Sequence, residues 1–256
     1  MRRPSPRPWH SSRAALLALA ALAGSACTGT PLPEPPDELP RPDWDAREIG
    51  PTSVLAGNDA ARMQVTLRSK REAVRPDTTV WAINLDSPPS AQEGPSQIMA
   101  NADGGFAIGV LLGSGDRVRI VSRTPTKHSP PLDLTVTLPG PGLEPLVART
   151  PSTAIACFKV TPAETLVLDG TSGTVTLDNQ CTVPVSITRA QLRLGDQGIS
   201  LGSAPTEIAA GTKTTLTFSD SLGAGTTERL DILLLDVTAS GVGMGRYAID
   251  IFSDLE

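Results

Sequence analysis

Thr174-Val175-Thr176-Leu177-Asp178-Asn179-Gln180-Cys181-Thr182-Val183-Pro184-Val185-Ser186-Ile187-Thr188 is the stretch whose spacing decides the fold. Val175 and Leu177 alternate with threonines, a polar Asp-Asn turn interrupts them, and Val185 and Ile187 resume the period of two. Successive side chains of a strand point to opposite faces, so this pattern describes two half-buried strands joined by a turn. The same alternation, punctuated by Gly, Pro, Asn and Asp, recurs on both sides of it. Strands are expected at 155–160, 164–168, 174–177, 185–188, 214–218, 229–237 and 246–251. Upstream they are expected at 63–67, 79–84, 97–102, 106–111, 117–122 and 132–137. Helical periodicity is nearly absent, although 58–74 carries enough Ala, Arg and Lys to leave a helix open as the alternative there.

The two groups of strands are separated by LPGPGLEP (138–145), where closely spaced prolines and glycines end a strand-like run. The expected architecture is therefore all-β, with two β-sandwich domains at 52–138 and 151–256 and a linker at 139–150. Seven short strands in the second region fit a sandwich, and the length of the chain leaves room for two domains.

Residues 1–26 carry Arg2, Arg3, Arg7 and Arg13 without an acid, then the apolar run AALLALAALAG (14–24), which is too short to span a bilayer. This is an export signal. Cys27 follows Ser25 and Ala26 directly, and the segment resembles a bacterial lipoprotein precursor, in which the first cysteine is lipidated and becomes the mature N-terminus. Gly24 stands where that pattern usually has Leu, and Gly24-Ser25-Ala26 also suits ordinary cleavage to a soluble product, so both products stay open. Residues 27–51 then read as an acidic, Pro-rich tether, because Pro31, Pro33, Pro35, Pro36, Pro40 and Pro42 block helix and discourage strand pairing. Thr28 rather than Asp after the cysteine implies, by the same resemblance, the outer membrane as destination.

Of the 22 Lys and Arg, four stand in the leader, which leaves 18 against 27 Asp and Glu and a formal charge of −9. Nucleic acid is a poor partner for such a chain. The remaining cysteines are Cys157 and Cys181, and in an oxidising compartment a disulfide between them accounts for the count, two buried free thiols being the alternative. Without the leader His128 is the only histidine, too few Cys and His for a zinc site, so no metal or other cofactor is expected.

Ala102-Asp103-Gly104-Gly105-Phe106 and Gly115-Asp116-Arg117-Val118-Arg119-Ile120 resemble exported immunoglobulin-like and carboxypeptidase-regulatory-like modules. There an Asp-Gly turn joins two strands and an aromatic enters the core. Thr174–Asn179, Val183–Ile187 and Ile208-Ala209-Ala210-Gly211-Thr212 are similar to exported fibronectin-like and abnormal-spindle-like sandwich domains. Both resemblances imply scaffold modules without catalytic residues.

Three motifs imitate chemical sites. Gly198-Ile199-Ser200-Leu201-Gly202 spells an esterase nucleophile elbow, but that elbow needs a strand-turn-helix setting and a later histidine, and none follows Ser200. Gly241-Val242-Gly243-Met244-Gly245 imitates a phosphate loop, yet it precedes a strand pattern and reads as a turn. Asp103, Asp116, Asp178, Asp196, Asp220, Asp231, Asp236, Asp250 and Asp254 lack the dense spacing of a calcium loop and read as turn-forming or solvated. Arg117, Arg119, Arg123, Lys127 and His128 form the one basic cluster, expected to be a solvated strand face that discourages edge pairing. Aromatics are too scarce for a lectin-like platform. The expected function is a membrane-anchored, non-enzymatic binding or structural module of the cell envelope. It would contact the membrane through its lipid and an envelope protein partner, with no small-molecule substrate identified. The alternative is an exported serine hydrolase resting on Ser200.

Overall fold

The structure is a computed structural model that describes residues 39–43, 54–56, 62–87, 94–125, 127–138, 145–150, 153–195, 198–222 and 229–253. The leader 1–26, Cys27 and all of the expected tether except 39–43 lie outside the described residues. The fold is all-β, and no helix occurs among the described residues. The first half contains β1 (Val54–Ala56), β2 (Met63–Arg68), β3 (Thr79–Asn84), β4 (Ser96–Met99), β5 (Ala107–Leu112), β6 (Arg117–Arg123), β7 (Leu132–Thr137) and β8 (Leu146–Arg149). The second contains β9 (Phe158–Thr161), β10 (Thr165–Leu168), β11 (Ser172–Asn179), β12 (Val185–Leu192), β13 (Ile199–Leu201), β14 (Glu207–Ile208), β15 (Lys213–Asp220), β16 (Leu230–Ala239) and β17 (Gly243–Ser253).

These strands form four sheets, ordered β1-β2-β5, β4-β3-β6-β7-β8, β13-β15-β11-β9 and β10-β17-β16-β12-β14. Pairing is antiparallel throughout except between β10 and β17. The first two sheets enclose one core, to which Val65, Phe106, Ile108, Val118, Ile120 and Leu134 contribute. The last two enclose another, built around Val175, Leu177, Leu216, Phe218, Leu233 and Ile249. Both follow from alternation, since every second residue of each strand faces its partner sheet.

A third apolar cluster lies between the halves and explains why β16 lacks alternation. Its Leu233, Leu235 and Val237 face the second core, while Leu230, Ile232 and Leu234 join the cluster with Ile83 of β3 and Leu85 just beyond its end. Strands β3 and β17 divide in the same way. Val80 and Ala82 enter the first core and Trp81 and Ile83 the shared cluster, whereas Ile249 and Ile251 enter the second core and Ala248 and Phe252 the shared cluster. The two five-stranded sheets are thus packed face to face. Strands buried on both faces read as continuous apolar runs, and LDILLLDV (230–237) is one.

Several expectations change on this evidence. Residues 63–68 are strand, so the helix alternative at 58–74 falls. The Asp103-Gly104 turn does not close a hairpin, because β4 pairs with β3 while β5 pairs with β2. It carries the chain from one sheet to the other, with Asp103 Oδ1 accepting from the Gly105 N–H at 3.0 Å. Gly104 is required there, having φ +73°, and a Cβ would stand 2.3 Å from the Val74 carbonyl oxygen. Within the expected linker 139–150, Leu146–Arg149 is strand β8 and pairs with β7. Short strands β13 and β14 were not anticipated.

Residues 39–43 do not run free as a tether would. Leu39 is 2 % exposed. Asp43 donates its backbone N–H to the Ala73 carbonyl at 2.7 Å and takes Lys70 Nζ at 2.7 Å, both in the first half. Arg41 grips both Glu164 carboxylate oxygens, at 2.7 and 2.6 Å, in the second. The segment is therefore a strap fastened to both halves.

Candidate functional site

The basic cluster anticipated as a solvated face is instead the seam between the halves. Strand β6 is not an edge, since β3 and β7 pair with it on either side. Its Val118 and Ile120 enter the first core, so Arg117, Arg119 and Arg123 project from the opposite face, toward the second half. Arg119 and Arg123 meet β17 in sequence order. The Arg123 guanidinium carbon lies 4.3 Å from the centre of the Trp81 ring and 5.7 Å from that of Phe252, which also stacks on the His128 ring at 3.6 Å. A guanidinium over aromatic faces keeps its charge stabilised where water is thin.

Arg119 is the centre of the seam. Its Nη1 lies 2.5 Å from Asp250 Oδ1, its Nε and Nη2 bridge the Asp133 carboxylate at 2.7 and 2.8 Å, and Nη2 also donates to the Ala248 carbonyl at 2.8 Å. Arg119 and Asp250 side chains are 3 % and 0 % exposed. Burial alone would lower the pKa of Arg119, but the charges of Asp250 and Asp133 outweigh it and hold the guanidinium more firmly protonated than usual. Burial pushes the Asp250 carboxyl above its ordinary value, with Asp133 adding to the push and Arg119 opposing it. Its Oδ2 is buried without a hydrogen-bond partner. One guanidinium between two carboxylates cannot fully compensate both, and the more exposed Asp133 keeps the better share.

Beside this group Arg117 forks onto Asp86, Nε to Oδ2 at 3.0 Å and Nη2 to Oδ1 at 2.8 Å, while its backbone N–H donates to the same carboxylate at 2.9 Å. Burial raises the Asp86 pKa, yet the hydrogen bonds and charge of Arg117 prevail and bring it below the ordinary value. Arg193 Nε crosses to the Asn84 carbonyl at 2.7 Å. At the Arg117 end of the seam opens a cleft of about 340 Å³ lined by Arg41, Arg117, Arg119, Arg149 and Arg246, with Asp133 and Glu164 among them. Tyr247 borders it, its hydroxyl accepting from the Ile155 N–H at 3.0 Å, and burial raises its pKa against that bond.

The other anticipated residues are dispersed. Cys157 and Cys181 are disulfide-bonded with Cα atoms 4.9 Å apart, joining the start of β9 to the turn between β11 and β12. Buried Asn179 fixes that turn, donating to the carbonyls of Val183, Ile208 and Ala209 and accepting from the Cys181 N–H at 2.9 Å. Ser200 lies within β13, paired with β15, and its hydroxyl shares a 2.8 Å hydrogen bond with the Ser219 hydroxyl. That is a ladder position, not the sharp strand-to-helix turn an elbow requires. Gly241 has φ +72° in the turn between β16 and β17.

The aspartates are shared out among separate turns and ion pairs. Asp116 caps the Gly113 N–H, Asp178 takes Lys213, Asp220 takes Arg229, and Asp236 lies between Arg189 and Arg246. Asp231 is fully buried rather than solvated. Burial raises its pKa, and its oxygens accept from the backbone N–H groups of Leu194, Gly195 and Ile232. Asp196 and Asp254 lie outside the described residues. The seam itself was missed. The available signal was arginine on alternate positions of a strand whose other positions are Val and Ile, together with the continuous apolar run of β16.

No protein-family model matches the chain, and no curated protein matches it. Among solved structures it is similar to the VesB protease of Vibrio cholerae, at 11 % identity over 70 % of this chain and 62 % of that one, with a TM-score of 0.33. It is also similar to a Porphyromonas gingivalis W83 protein of unknown function, at 12 % identity over 80 % of this chain and 100 % of that one, TM-score 0.31. The native conformation of E. coli alpha-2-macroglobulin is similar at 11 % identity over 81 % of this chain and 17 % of that one, TM-score 0.26. The chain thus spans less than two thirds of the VesB protease. Likeness at this level carries no functional argument.

Proposed function

We propose that the protein is an exported, lipid-anchored component of the cell envelope that binds or spaces other components and catalyses no reaction. In this reading 1–26 is a signal peptide, Cys27 carries the lipid, and two immunoglobulin-like β-sandwich domains stand off the outer membrane on the Pro-rich segment. The observation that carries it is the seam. A buried ion-pair group and an apolar cluster join the halves, so two modules that could swing on a linker are held as one stiff body, which suits a spacer or platform. The leader composition and the position of Cys27 support the address.

The test compares wild type with Cys27→Ala by metabolic fatty-acid labelling and membrane fractionation. Labelled wild type in the membrane with unlabelled, soluble Cys27→Ala is the expected result. Identical fractionation and no label in either would overturn the anchor.

A further inference from the structure

The cleft at the end of the seam contains more than structural ion pairs. Three of its arginines are held: Arg119 by Asp133, Asp250 and a carbonyl, Arg117 by the Asp86 fork, and Arg41 by Nη2 on both Glu164 oxygens. The other two are not. Arg149 is 57 % exposed and reaches Asp43 only at 3.5 Å, and Arg246 is 47 % exposed and reaches Asp236 only at 3.8 Å. Each of those carboxylates is already shared, Asp43 with Lys70 at 2.7 Å and Asp236 with Arg189 at 4.0 Å. Five arginines and two carboxylates, Asp133 and Glu164, line the recess, on a chain whose formal charge without its leader arginines is −9.

We infer that this cleft is a binding site for a small polyanion, a molecule with two or more phosphate or carboxylate groups, gripped by Arg149 and Arg246 against the fixed arginine wall. A guanidinium presents two parallel N–H donors to an oxyanion, and such charge-assisted pairs are roughly twice as strong as neutral ones. Arg149 and Arg246 give up little by turning to a ligand, because their present contacts are long and solvated. The fixed arginines line the wall with no side-chain ordering left to do. The volume, about 340 Å³, falls in the range of small-molecule sites. A long polyanion reaching beyond the recess is disfavoured by the net acidity of the chain. This inference concerns ligand chemistry and stands whether or not the chain is lipid-anchored.

The test is titration calorimetry on the full-length protein with inorganic pyrophosphate and with citrate, in low and high salt. Saturable, salt-weakened binding of either ion is expected. Pyrophosphate alone would assign the site to phosphates, citrate alone to carboxylates, and both to oxyanions generally. Arg149→Gln and Arg246→Gln, both at exposed positions that spare the fold, should each weaken binding at least tenfold. Arg75→Gln, outside the cleft, should leave it unchanged, and thermal unfolding confirms that each variant is folded. Absence of binding to both ions at millimolar concentration, or undiminished binding by folded Arg149→Gln/Arg246→Gln, would overturn the assignment. So would uptake by phosphatidylglycerol vesicles without binding of either soluble ion.

Discussion

Arg119 of β6 and Asp250 of β17 face each other across the seam at 2.5 Å, each almost wholly removed from solvent and 131 residues apart in the chain. A charge buried at that depth is tolerable only while its partner stays. Arg119→Met leaves Asp250 buried without its counter-ion, while Asp133, 30 % exposed, retains water. The expected loss of stability is about 3–5 kcal/mol by urea denaturation. Arg119→Met/Asp250→Leu should recover most of it, because an apolar pair of similar volume removes the stranded charge. A double variant no more stable than Arg119→Met would show that the stranded Asp250 charge is not the source of the loss.

The Asp86–Arg117 fork gives stability a dependence on acid. The Asp86 pKa is depressed below its ordinary 3.8 on folding, so its contribution is fully present above that value and is lost as pH falls through the folded one. Asp86→Asn should cost about 2 kcal/mol at pH 7, the scale of charge-assisted hydrogen bonds. The gap between wild type and variant should then close as denaturation curves are taken from pH 5 toward pH 2. A gap that stays constant over that range would refute the role of the carboxylate charge.

Cys157 and Cys181 close a loop with a sequence separation of 24. Loop-closure entropy values such a link at about 3 kcal/mol. Non-reducing peptide mapping should recover the linked pair, and Cys157→Ala/Cys181→Ala should lower stability by about that amount. Two free thiols in the mapped protein would contradict the bond.

Ser200 pairs with Ser219 on an exposed ladder. Ser200→Ala should shift stability by no more than about 0.5 kcal/mol, the usual range for surface substitutions. Neither wild type nor variant should take up a fluorophosphonate label. Labelling of wild type that disappears in the variant would revive the hydrolase reading.

The all-β class and the strands that alternate, such as β7 and β15, were legible because burial on one face writes a period of two into the sequence. Partner choice was not. Asp103-Gly104 marks a turn, but a turn of that composition serves equally for a hairpin or for a crossing between sheets, and which occurs depends on strands distant in sequence. The seam was hidden for a related reason. A buried arginine and a solvated one are spelled alike, and only the opposing Asp250, more than a hundred residues away, decides between them. Leu230–Val237 did carry the clue, as a strand with no polar face.

The strap at 39–43 bears on how the molecule would take a load. Tension arriving along the chain from the N-terminal side meets Arg41 and Asp43 before it reaches β1, a three-residue edge strand. It divides there, part passing through Glu164 to one half and part through Ala73 and Lys70 to the other. The outermost strand is thereby spared from being peeled first, as a cable's clamp spares its solder joint.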